Sequence, residues 1–426
     1  MNGTGDVELQ LAPGGPTALV RNAVQVLHER FFEPLEVSEL LREAWEGATS
    51  ALARAGVDTV LAGPAYPDAP TEAYRMHAEA FLALEELAAE RISLEQLAAA
   101  ALRELAARRR DGHTLVVTPW MAQRWRSMAW PPRDFGLVLT DTPPLTVADT
   151  RAGGPAQRVG IRRGQLVVVI NGEPVADMRR AEACSLLDSR DGAVNVLSVH
   201  HPGGPVASVQ LVAEATPLIT TELLPGPIGL LRVDGFAFTD AETAQFRTAF
   251  TSFEEAEARG WIIDLRWCGG GASIGLSRLL VDRGRLFSRV RHNDGSFPDG
   301  MMRQDIDAEG TALPFHRPLI VLIGRGSISG AESFAGPLRE LGRATLVGER
   351  TAGLCGTGPR FDLAPGWGIT VTTRETVFGP AERRFNRLGV PPDKWVTPTP
   401  DDEVAGRDPQ REAALELLKE RWAEVT

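Results

Sequence analysis

Hydrophobic residues in the first quarter of the chain recur at helical spacing. They stand three or four positions apart at Val20, Val24 and Leu27, and again at Leu94, Leu97, Ala98 and Leu102. This spacing places them on one face of an amphipathic helix. Glycine and proline interrupt the pattern over 63–70 with turn chemistry, because proline lacks an amide donor and fixes its own backbone angle. The pattern predicts a helical region over 1–130 with at least two helical layers.

The pattern changes twice further along the chain. Short apolar runs separated by turns predict a β-rich domain over 131–216. Strands then alternate with amphipathic helices over 217–426, an order that builds a parallel sheet with helices packed against it. The strands are predicted at 229–233, 261–265, 319–323 and 345–347, and the helices at 241–257, 274–282, 330–341 and 409–422. The predicted fold class is therefore α/β and multidomain.

Composition excludes several kinds of partner. The 426 residues carry a formal net charge of -11, and no run of basic residues is dense enough to neutralise a phosphate backbone, so nucleic acid is not expected as a partner. Apolar runs such as 319–323 are far shorter than the roughly 20 residues that span a bilayer, so no transmembrane segment is expected. The start lacks a basic region followed by an apolar one, which indicates a cytoplasmic chain, with an exported mature form as the alternative.

The three cysteines, Cys184, Cys268 and Cys355, stand far apart. An odd count without metal-ligand spacing argues against a disulfide framework and against a metal site. We expect no metal and no cofactor, and we interpret the cysteines as small buried residues.

Two loops each follow a buried strand and precede a helix. The first, at 264–271, ends in three glycines whose amides are unobstructed, as an oxyanion hole requires. The second, at 324–336, holds Ser329 where a side chain is lifted out of the sheet edge. Taken alone, Ser327 or Ser329 could instead cap the following helix, with Glu332 as a capping-box partner.

The β-rich segment resembles a PDZ domain. The resemblance rests on the run GIRRGQLVVVINGEPV at 160–175, with Gln165 where such domains usually carry a turn-supporting aspartate. It implies that a loop offers backbone amides to the terminal carboxylate of a peptide, while the sheet edge accepts the peptide as an added strand. That loop would consist of Phe135, Gly136, Leu137 and Val138.

The C-terminal segment resembles the catalytic domain of tail-specific, C-terminal-processing serine peptidases, which is similar to the crotonase fold. Four motifs occur in the order of that family: DLR-x-x-x-GG at 264–271, S-x-x-E at 329–332, GE-x-T-x-G at 348–353 and GV-x-PD at 389–393. The resemblance implies that Ser329 is the nucleophile. It also implies that backbone amides of Gly270 or Gly271 and of Gly330 bind the oxyanion.

One position departs from the family pattern. The best-known branch uses a lysine about 25 residues after the serine, and this chain has Leu354 there. Lys394, the only lysine between Ser329 and the predicted closing helix, is expected in a surface loop. No serine-lysine dyad is therefore expected.

A second branch of the family, which resembles the tricorn core, takes a histidine from just upstream of the PDZ domain. His113, in the run DGHT at 111–114, stands at that place. Histidine suits the role of general base because its ordinary pKa lies near neutrality. The third catalytic residue of that branch, just ahead of GV-x-PD, falls at or near Asn386, with Glu382 as the second candidate.

The resemblance implies a serine endopeptidase that forms an acyl-enzyme on a protein or peptide substrate. Its PDZ-like domain would recognise a free C-terminus. A homo-oligomer is left open. Two alternatives belong to other classes: a catalytically inactive ligand-binding protein, since retinoid-binding modules resemble the same fold, and a PDZ-based scaffold.

Overall fold

The structure is a computed structural model. It describes residues 15–57, 62–88, 91–127, 134–140, 143–151, 153–190, 192–200, 204–214, 217–237, 239–271, 273–282, 286–292, 296, 303–305, 317–399, 402 and 407–425. The helices are α1 (Gly15–Arg30), α2 (Val37–Arg54), α3 (Pro70–Ala88), α4 (Leu94–Arg109), α5 (Pro119–Ser127), α6 (Pro155–Arg158), α7 (Arg180–Ser185), α8 (Asp240–Glu255), α9 (Ile274–Leu280), α10 (Gly330–Glu340) and α11 (Pro409–Val425).

The strands are short. They are β1 (Leu115–Val117), β2 (Leu137–Leu139), β3 (Val147–Thr150), β4 (Leu166–Ile170), β5 (Glu173–Pro174), β6 (Val194–His200), β7 (Val206–Val212), β8 (Ile219–Leu224), β9 (Ile228–Val233), β10 (Gly260–Asp264), β11 (Leu286–His292), β12 (Arg303–Asp305), β13 (Leu319–Ile323), β14 (Thr345–Gly348), β15 (Gly356–Thr357), β16 (Arg360–Ala364), β17 (Trp367–Thr370), β18 (Arg374–Phe378), β19 (Arg383–Arg384) and β20 (Lys394–Trp395).

The chain folds into two compact units. The helical unit comprises Met1–Ser127, His292–Gly295 and Thr357–Arg374. The α/β unit comprises Met128–Arg291, Ser296–Gly356 and Glu375–Thr426. The domain boundaries predicted at 130/131 and 216/217 adjoin 128–133 and 215–216, which lie outside the described residues, so both boundaries stay predictions.

The predicted N-terminal helices form the core of the helical unit. Helices α1 to α4 bury their apolar faces in one cluster that includes Leu19, Leu40, Phe81 and Leu102, each of them fully buried. The predicted helical N-terminal region is confirmed.

Residues 357–374 also belong to the helical unit, which the sequence pattern did not predict. Strand β17 pairs antiparallel with β1, with Leu115 opposite Thr370, and pairs with β16 on its other side. Trp367 is 2% exposed and belongs to the same core as the helices. Since Leu115 and Thr370 are 255 residues apart, no local periodicity could join them.

The predicted β-rich segment has a core of its own in the α/β unit. Strand β2 pairs with β3, and a second sheet has the order β5-β4-β6-β7. Their inner faces meet in a cluster that includes Leu139, Ile170 and Leu197. Gln165 Oε1 accepts the Arg162 amide at 2.9 Å, so a glutamine supports the turn that aspartate usually supports.

The large sheet of the α/β unit follows the predicted strand-helix alternation. Its order is β20-β14-β13-β10-β9-β8, in which β9, β10, β13, β14 and β20 run parallel and β8 is antiparallel to β9. Every residue of β10 and β13 is buried, because α8, α9 and α10 pack on one face and α11 on the other. Loops that follow parallel strands meet at one edge of such a sheet, and both motif-bearing loops stand there.

Arg266 connects the end of β10 to the start of α11. Its guanidinium donates to Asp264 at 2.9 and 2.7 Å and to both oxygens of Asp408 at 2.8 Å. It also reaches Gln410 Oε1 at 3.0 Å. The arginine of the DLR motif thus holds the closing helix on the sheet.

The cysteines form no disulfide. Cys268 and Cys355 are buried, as predicted, whereas Cys184 lies exposed on α7. None of the described helices is long and apolar enough to cross a membrane.

Trp367 provides a test of the assignment of 357–374 to the helical core. We expect Trp367→Ala to lower the free energy of unfolding by about 3–5 kcal/mol, because it removes a buried indole and leaves a cavity. Trp395→Ala is the matched control, since Trp395 is 57% exposed and its ring lies 5.5 Å from the Arg350 guanidinium, a cation-π contact worth about 1 kcal/mol at most. Urea denaturation followed by circular dichroism measures both, and equal losses would contradict the assignment.

Candidate active site

Ser329 stands at the turn between β13 and α10. Its backbone angles are φ 52° and ψ -103°, a region that residues other than glycine rarely adopt. A serine on a strained strand-to-helix turn is the arrangement that exposes a nucleophile above a parallel sheet. An ordinary capping serine has an extended backbone, so capping alone does not account for this turn.

Ser327 fixes the same turn from inside. Its hydroxyl donates to the Leu265 carbonyl at 2.8 Å and accepts the Gly324 amide at 3.0 Å, and its side chain is fully buried. The loop after β13 is thereby tied to the end of β10. Because both hydrogen-bonding functions of Ser327 are used within the fold, Ser329 is the candidate nucleophile.

The glycines of the first loop lie directly against Ser329. Gly270 and Gly271 have φ angles of 106° and 110°, which favour glycine. A Cβ on Gly270 would lie 3.1 Å from Ser329 Cβ, and a Cβ on Gly330 would collide with the Gly271 carbonyl oxygen. A side chain at either position would therefore displace the serine turn. The three glycines predicted for the oxyanion hole come together with Ser329.

Glu332 gathers hydrogen-bond donors from two loops. Its buried carboxylate accepts the Ser329 amide at 3.0 Å and the Leu354 amide at 2.7 Å through Oε2. Oε1 accepts the Gly353 amide at 2.7 Å and the Thr351 hydroxyl at 2.6 Å. The S-x-x-E and GE-x-T-x-G motifs therefore meet at one carboxylate.

The electrostatics of Glu332 reflect this position. Burial raises the pKa of its carboxyl above the ordinary value, while the donors from Thr351, Gly353, Leu354 and Ser329 act in the opposite direction. Cys355 lies beside the carboxylate of Glu332. The pKa of the Cys355 thiol is raised well above the usual range, chiefly by burial and further by the charge and hydrogen bond of Glu332. Cys355 therefore stays a protonated, unreactive thiol.

The GV-x-PD segment is anchored to the same loop. The Val390 amide donates to the Thr351 hydroxyl at 2.7 Å, and the Thr351 amide donates to the Val390 carbonyl at 3.2 Å. The Arg387 amide donates to the Gly353 carbonyl at 2.8 Å. A third motif is thus held through the loop that Glu332 organises.

Two positions bear on a lysine base: Leu354, where the best-known branch has its lysine, and Lys394. Leu354 is 7% exposed, and its amide is engaged by Glu332. Lys394, expected in a surface loop, instead begins β20, where it pairs with Val347 of the neighbouring strand. The loop expectation was wrong because two residues after a proline-rich turn are too few to show a strand periodicity.

Asn386 has a buried side chain with unmet hydrogen-bonding capacity. It is 8% exposed, and neither Oδ1 nor Nδ2 has a hydrogen-bond partner among the described residues. The next residue, Arg387, is the one bonded to Gly353. Glu382, in contrast, forms a salt bridge with Arg289 at 2.6 Å and has a side chain 40% exposed. The geometry favours Asn386 over Glu382 as the third residue.

His113 belongs to the helical unit, just before β1. The fully buried carboxylate of Asp111 accepts the amides of His113 at 3.2 Å and Thr114 at 2.7 Å, and the Thr114 hydroxyl at 2.8 Å. The Thr370 hydroxyl donates to the His113 carbonyl at 2.7 Å. The DGHT run is therefore a turn in which aspartate fixes the backbone around the histidine.

The loop predicted to bind a carboxylate precedes β2. Gly136 has φ 65°, and its amide donates to Asp134 Oδ1 at 2.8 Å. Its carbonyl accepts the Arg151 amide at 3.0 Å. Antiparallel pairing alternates along a strand, so the Leu137 amide points away from β3. The amide of Gly136 is already engaged, and that of Leu137 faces the open edge.

Two basic residues tie this segment to the motif loops of the α/β unit. Arg163 donates to both carboxylate oxygens of Glu349 at 2.8 and 2.9 Å. Arg151 pairs with Asp234 at 3.1 Å, and its guanidinium lies 4.9 Å from the centre of the Trp267 ring. Glu349 belongs to GE-x-T-x-G, and Trp267 to DLR-x-x-x-GG.

Comparison with known proteins bears on both parts of the α/β unit. Residues 227–396 match the model of peptidase family S41, and residues 146–199 match a PDZ domain model. The chain carries an S41 peptidase domain and a PDZ domain. The predicted family resemblance and the predicted domain classes are confirmed.

Relatives of the S41 peptidase domain include curated processing peptidases. The chain is 30% identical over 275 residues to the chloroplastic C-terminal processing peptidase of Tetradesmus obliquus, over 60% of this chain and 57% of that relative. It is 27% identical over 303 residues to the carboxyl-terminal-processing protease of Picosynechococcus sp., over 68% of this chain and 70% of that relative. The chain thus spans less than two thirds of the Tetradesmus relative.

A solved structure shows the same fold as the whole chain. The photosystem II D1 C-terminal processing protease aligns with a TM-score of 0.60 at 23% identity. The alignment covers 94% of this chain and 99% of that one. This chain and that protease therefore have a similar fold over most of their lengths.

The S41 peptidase domain brings together some of the predicted site residues. Ser329 stands with Gly270, Gly271 and Gly330. Asn386 precedes Arg387, whose amide bonds Gly353 in the loop that Glu332 holds. His113 lies in the other unit. The loop from Phe135 to Val138 lies in the α/β unit, ahead of the residues that match the PDZ model, and leads into β2, which pairs with β3.

The organising role of Glu332 and Thr351 in the S41 peptidase domain is not predicted from the sequence. There Glu332 stands as a capping-box partner and as the last residue of S-x-x-E, and Thr351 stands as one position of GE-x-T-x-G. The available signal was that both are polar residues at fixed motif positions next to predicted buried strands. A buried polar group needs a partner, so each motif could have been expected to satisfy another.

Glu332→Gln tests the organising role. We expect a loss of about 1.5–3 kcal/mol in the free energy of unfolding, because the amide keeps the shape but turns a donor toward groups that donate to the carboxylate. Glu416→Gln, on the exposed side of α11, is the matched control and should change stability by less than about 0.5 kcal/mol. If denaturant titration gives the two variants the same midpoint, Glu332 does not organise the site.

Proposed function

We propose that the chain is a serine endopeptidase that cleaves protein or peptide substrates through an acyl-enzyme, with its PDZ domain recognising C-terminal segments. Ser329 is the nucleophile, His113 the general base and Asn386 the residue that orients the imidazole. The observation that carries the proposal is the strained turn of Ser329 packed against Gly270 and Gly271. Strain of this kind persists where the surrounding structure enforces it, and it clusters at catalytic residues.

The proposed reaction is acyl transfer. The His113 imidazole takes the hydroxyl proton as Ser329 Oγ attacks the carbonyl carbon of a peptide bond. The carbonyl electron pair moves to oxygen, the tetrahedral intermediate collapses, and the imidazolium gives its proton to the leaving amine. Water, deprotonated by the same imidazole, then attacks the ester and releases the new carboxylate and the free serine.

The oxyanion is best assigned to the amides of Gly271 and Gly330. Gly330 follows the nucleophile at the start of α10, where amide groups have no acceptor within the helix. Burial raises the pKa of the Cys268 thiol to about 12. The Gly270 amide acts in the opposite direction, because it donates a hydrogen bond to the Cys268 sulfur. That interaction favours Gly271 over Gly270 as the second donor.

His113 is proposed as the base because the other candidates near Ser329 are unsuited. Leu354 has no titratable group, and the oxygens of Glu332 already accept four donors. His113 has a titratable imidazole on a backbone that Asp111 and Thr370 fix, and it belongs to the helical unit, whereas Ser329 belongs to the α/β unit.

Asn386 is supported as the third residue by its unmet hydrogen bonds. A buried amide without a partner costs about 1–3 kcal/mol and calls for an explanation. A hydrogen bond from the imidazole N–H to Oδ1 would supply one partner and hold the tautomer that accepts the serine proton.

The proposed substrate is a polypeptide with a free C-terminus. The outward Leu137 amide and the open edge of β2 suit a terminal carboxylate and an added strand. The curated relatives are named as C-terminal processing enzymes, which supports a peptidase over the inactive ligand-binding protein and the PDZ scaffold.

Ser329→Ala and His113→Ala test the catalytic assignment. We expect each to lower kcat/KM by about four to six orders of magnitude, because nucleophile and base act as one unit. Lys394→Met is the matched control and should keep the activity of the parent. Cleavage of an unfolded protein and labelling by a fluorophosphonate probe measure the three variants.

The Lys394→Met variant also distinguishes His113 from Lys394 as the general base. Activity lost in Lys394→Met and kept in His113→Ala would assign the base to the lysine. Equal probe labelling of the parent and Ser329→Ala, or labelling of neither, counts against Ser329 as the nucleophile.

The free carboxylate is tested with two peptides of one sequence, one ending in a carboxylate and the other in an amide. Fluorescence anisotropy with the Ser329→Ala protein should show at least about tenfold weaker binding of the amide, because a charge-assisted hydrogen bond is lost. Equal affinities would contradict recognition of a C-terminus.

A further inference from the structure

Strand β8 forms one outer edge of the large sheet. Within the described residues it has a neighbour only on the side of β9. The opposite edge is β20, which is two residues long and begins with Lys394, features by which proteins commonly blunt a sheet edge. Strand β8 has six residues and neither lysine nor proline within it. The two edges of the sheet are therefore protected very differently.

The hydrogen-bonding direction of β8 follows from one backbone contact. The Asp234 amide donates to the Leu218 carbonyl at 2.8 Å, just before β8 begins. Pairing alternates along an antiparallel strand, so the even-numbered residues of β8 face β9. The amide and carbonyl groups that face away from β9 are those of Ile219, Thr221 and Leu223. They form a row of alternating donors and acceptors.

The side chains along this edge are exposed to solvent. Residues 220–223 are all exposed, and Leu223 has 51% of its surface accessible. Ile219, Thr220 and Thr221 are β-branched, which favours an extended backbone. The edge is thus held in strand geometry without being covered by any described residue.

Grooves flank β8 on both faces of the sheet. On the α8 side, a groove of about 710 Å³ is lined by Ile219 and Thr221 and by Gln245 and Thr248 of the helix. On the α11 side, a groove of about 440 Å³ is lined by Thr220 and Glu222 and by charged residues of the sheet and of α11. A strand added to β8 would have space for its side chains on both faces.

Both grooves end near parts of the molecule that the proposed function assigns to substrate. The groove on the α8 side reaches Ala237, which follows Phe236, and the Phe236 amide donates to the Gly270 carbonyl at 2.9 Å. The groove on the α11 side is lined by Asp149 and Arg151 of the PDZ segment. The edge of β8 thus lies between the loop that contacts Ser329 and the PDZ domain.

We propose that the edge of β8 is an exosite that takes an extended segment of the polypeptide substrate as an additional strand. The proposal rests on the peptidase function proposed above. A row of alternating backbone donors and acceptors is satisfied by another extended backbone, which identifies the ligand as a polypeptide rather than a small molecule. The α8-side groove ends at Ala237, next to the residue whose amide bonds Gly270 of the glycine loop, and this position favours a substrate chain over a second copy of this protein.

The sheet spacing sets the distance between the exosite and the chemistry. An added strand would be the third from β10, which is about 14 Å at about 4.8 Å per strand. A chain covers about 3.3 Å per residue when extended, so the bound segment lies at least about four residues from the scissile bond. The exosite therefore selects unfolded chains over short peptides.

Thr221→Pro tests the exosite, because the Thr221 amide faces away from β9 and its removal leaves the pairing with β9 intact. Thr221→Val is the matched control, since it keeps the amide. Both are made in the Ser329→Ala protein, and anisotropy measures the binding of labelled β-casein and of a labelled hexapeptide. We expect the proline variant to bind β-casein about tenfold more weakly than the valine variant, and both to bind the hexapeptide equally.

A second pair of variants leaves β8 untouched. Gln245→Trp fills the groove on the α8 side, and Arg247→Trp places the same side chain on an exposed helix position outside that groove. The first should weaken β-casein binding and the second should not. This pair decides the matter if the proline variant does not fold.

Several outcomes separate the possibilities. Equal β-casein affinities within both pairs overturn the exosite. A valine variant that sediments as a dimer beside a monomeric proline variant assigns β8 to an interface between copies and also overturns it. A difference in β-casein binding, found together with no Ser329-dependent cleavage by the parent, keeps the exosite and removes the peptidase function.

Discussion

The buried carboxylate of Glu332 is the constraint on which the active-site region depends. A desolvated carboxylate is stable only when donors surround it, and here the donors come from the nucleophile turn and from the loop after β14. The Thr351 hydroxyl, which donates to Glu332, also accepts the Val390 amide and so fixes the GV-x-PD segment. Removing any one segment would leave a buried charge or a buried donor unsatisfied, which explains why the motifs occur together in one chain.

A second ionic centre holds the other face of the sheet. Burial alone would raise the pKa of the Asp264 carboxyl, but the adjoining Arg266 guanidinium brings it below its ordinary value. The same guanidinium holds Asp408 at the start of α11. The end of β10 is thus fixed from the α11 side by Arg266, while the end of β13 is fixed from the α10 side by Glu332. The glycine loop and Ser329 stand between these two anchors.

The sequence predicted the parts of the fold that depend on local periodicity. The strands at 261–265 and 319–323 and the helices at 330–341 and 409–422 are found within a few residues, because buried strands and amphipathic helices repeat over short windows. The pairing of β17 with β1 was not predictable, since it joins residues far apart in the chain. The network around Glu332 was hidden for the same reason: a capping motif predicts the Ser329 contact, whereas the contacts to Thr351 and Gly353 are tertiary.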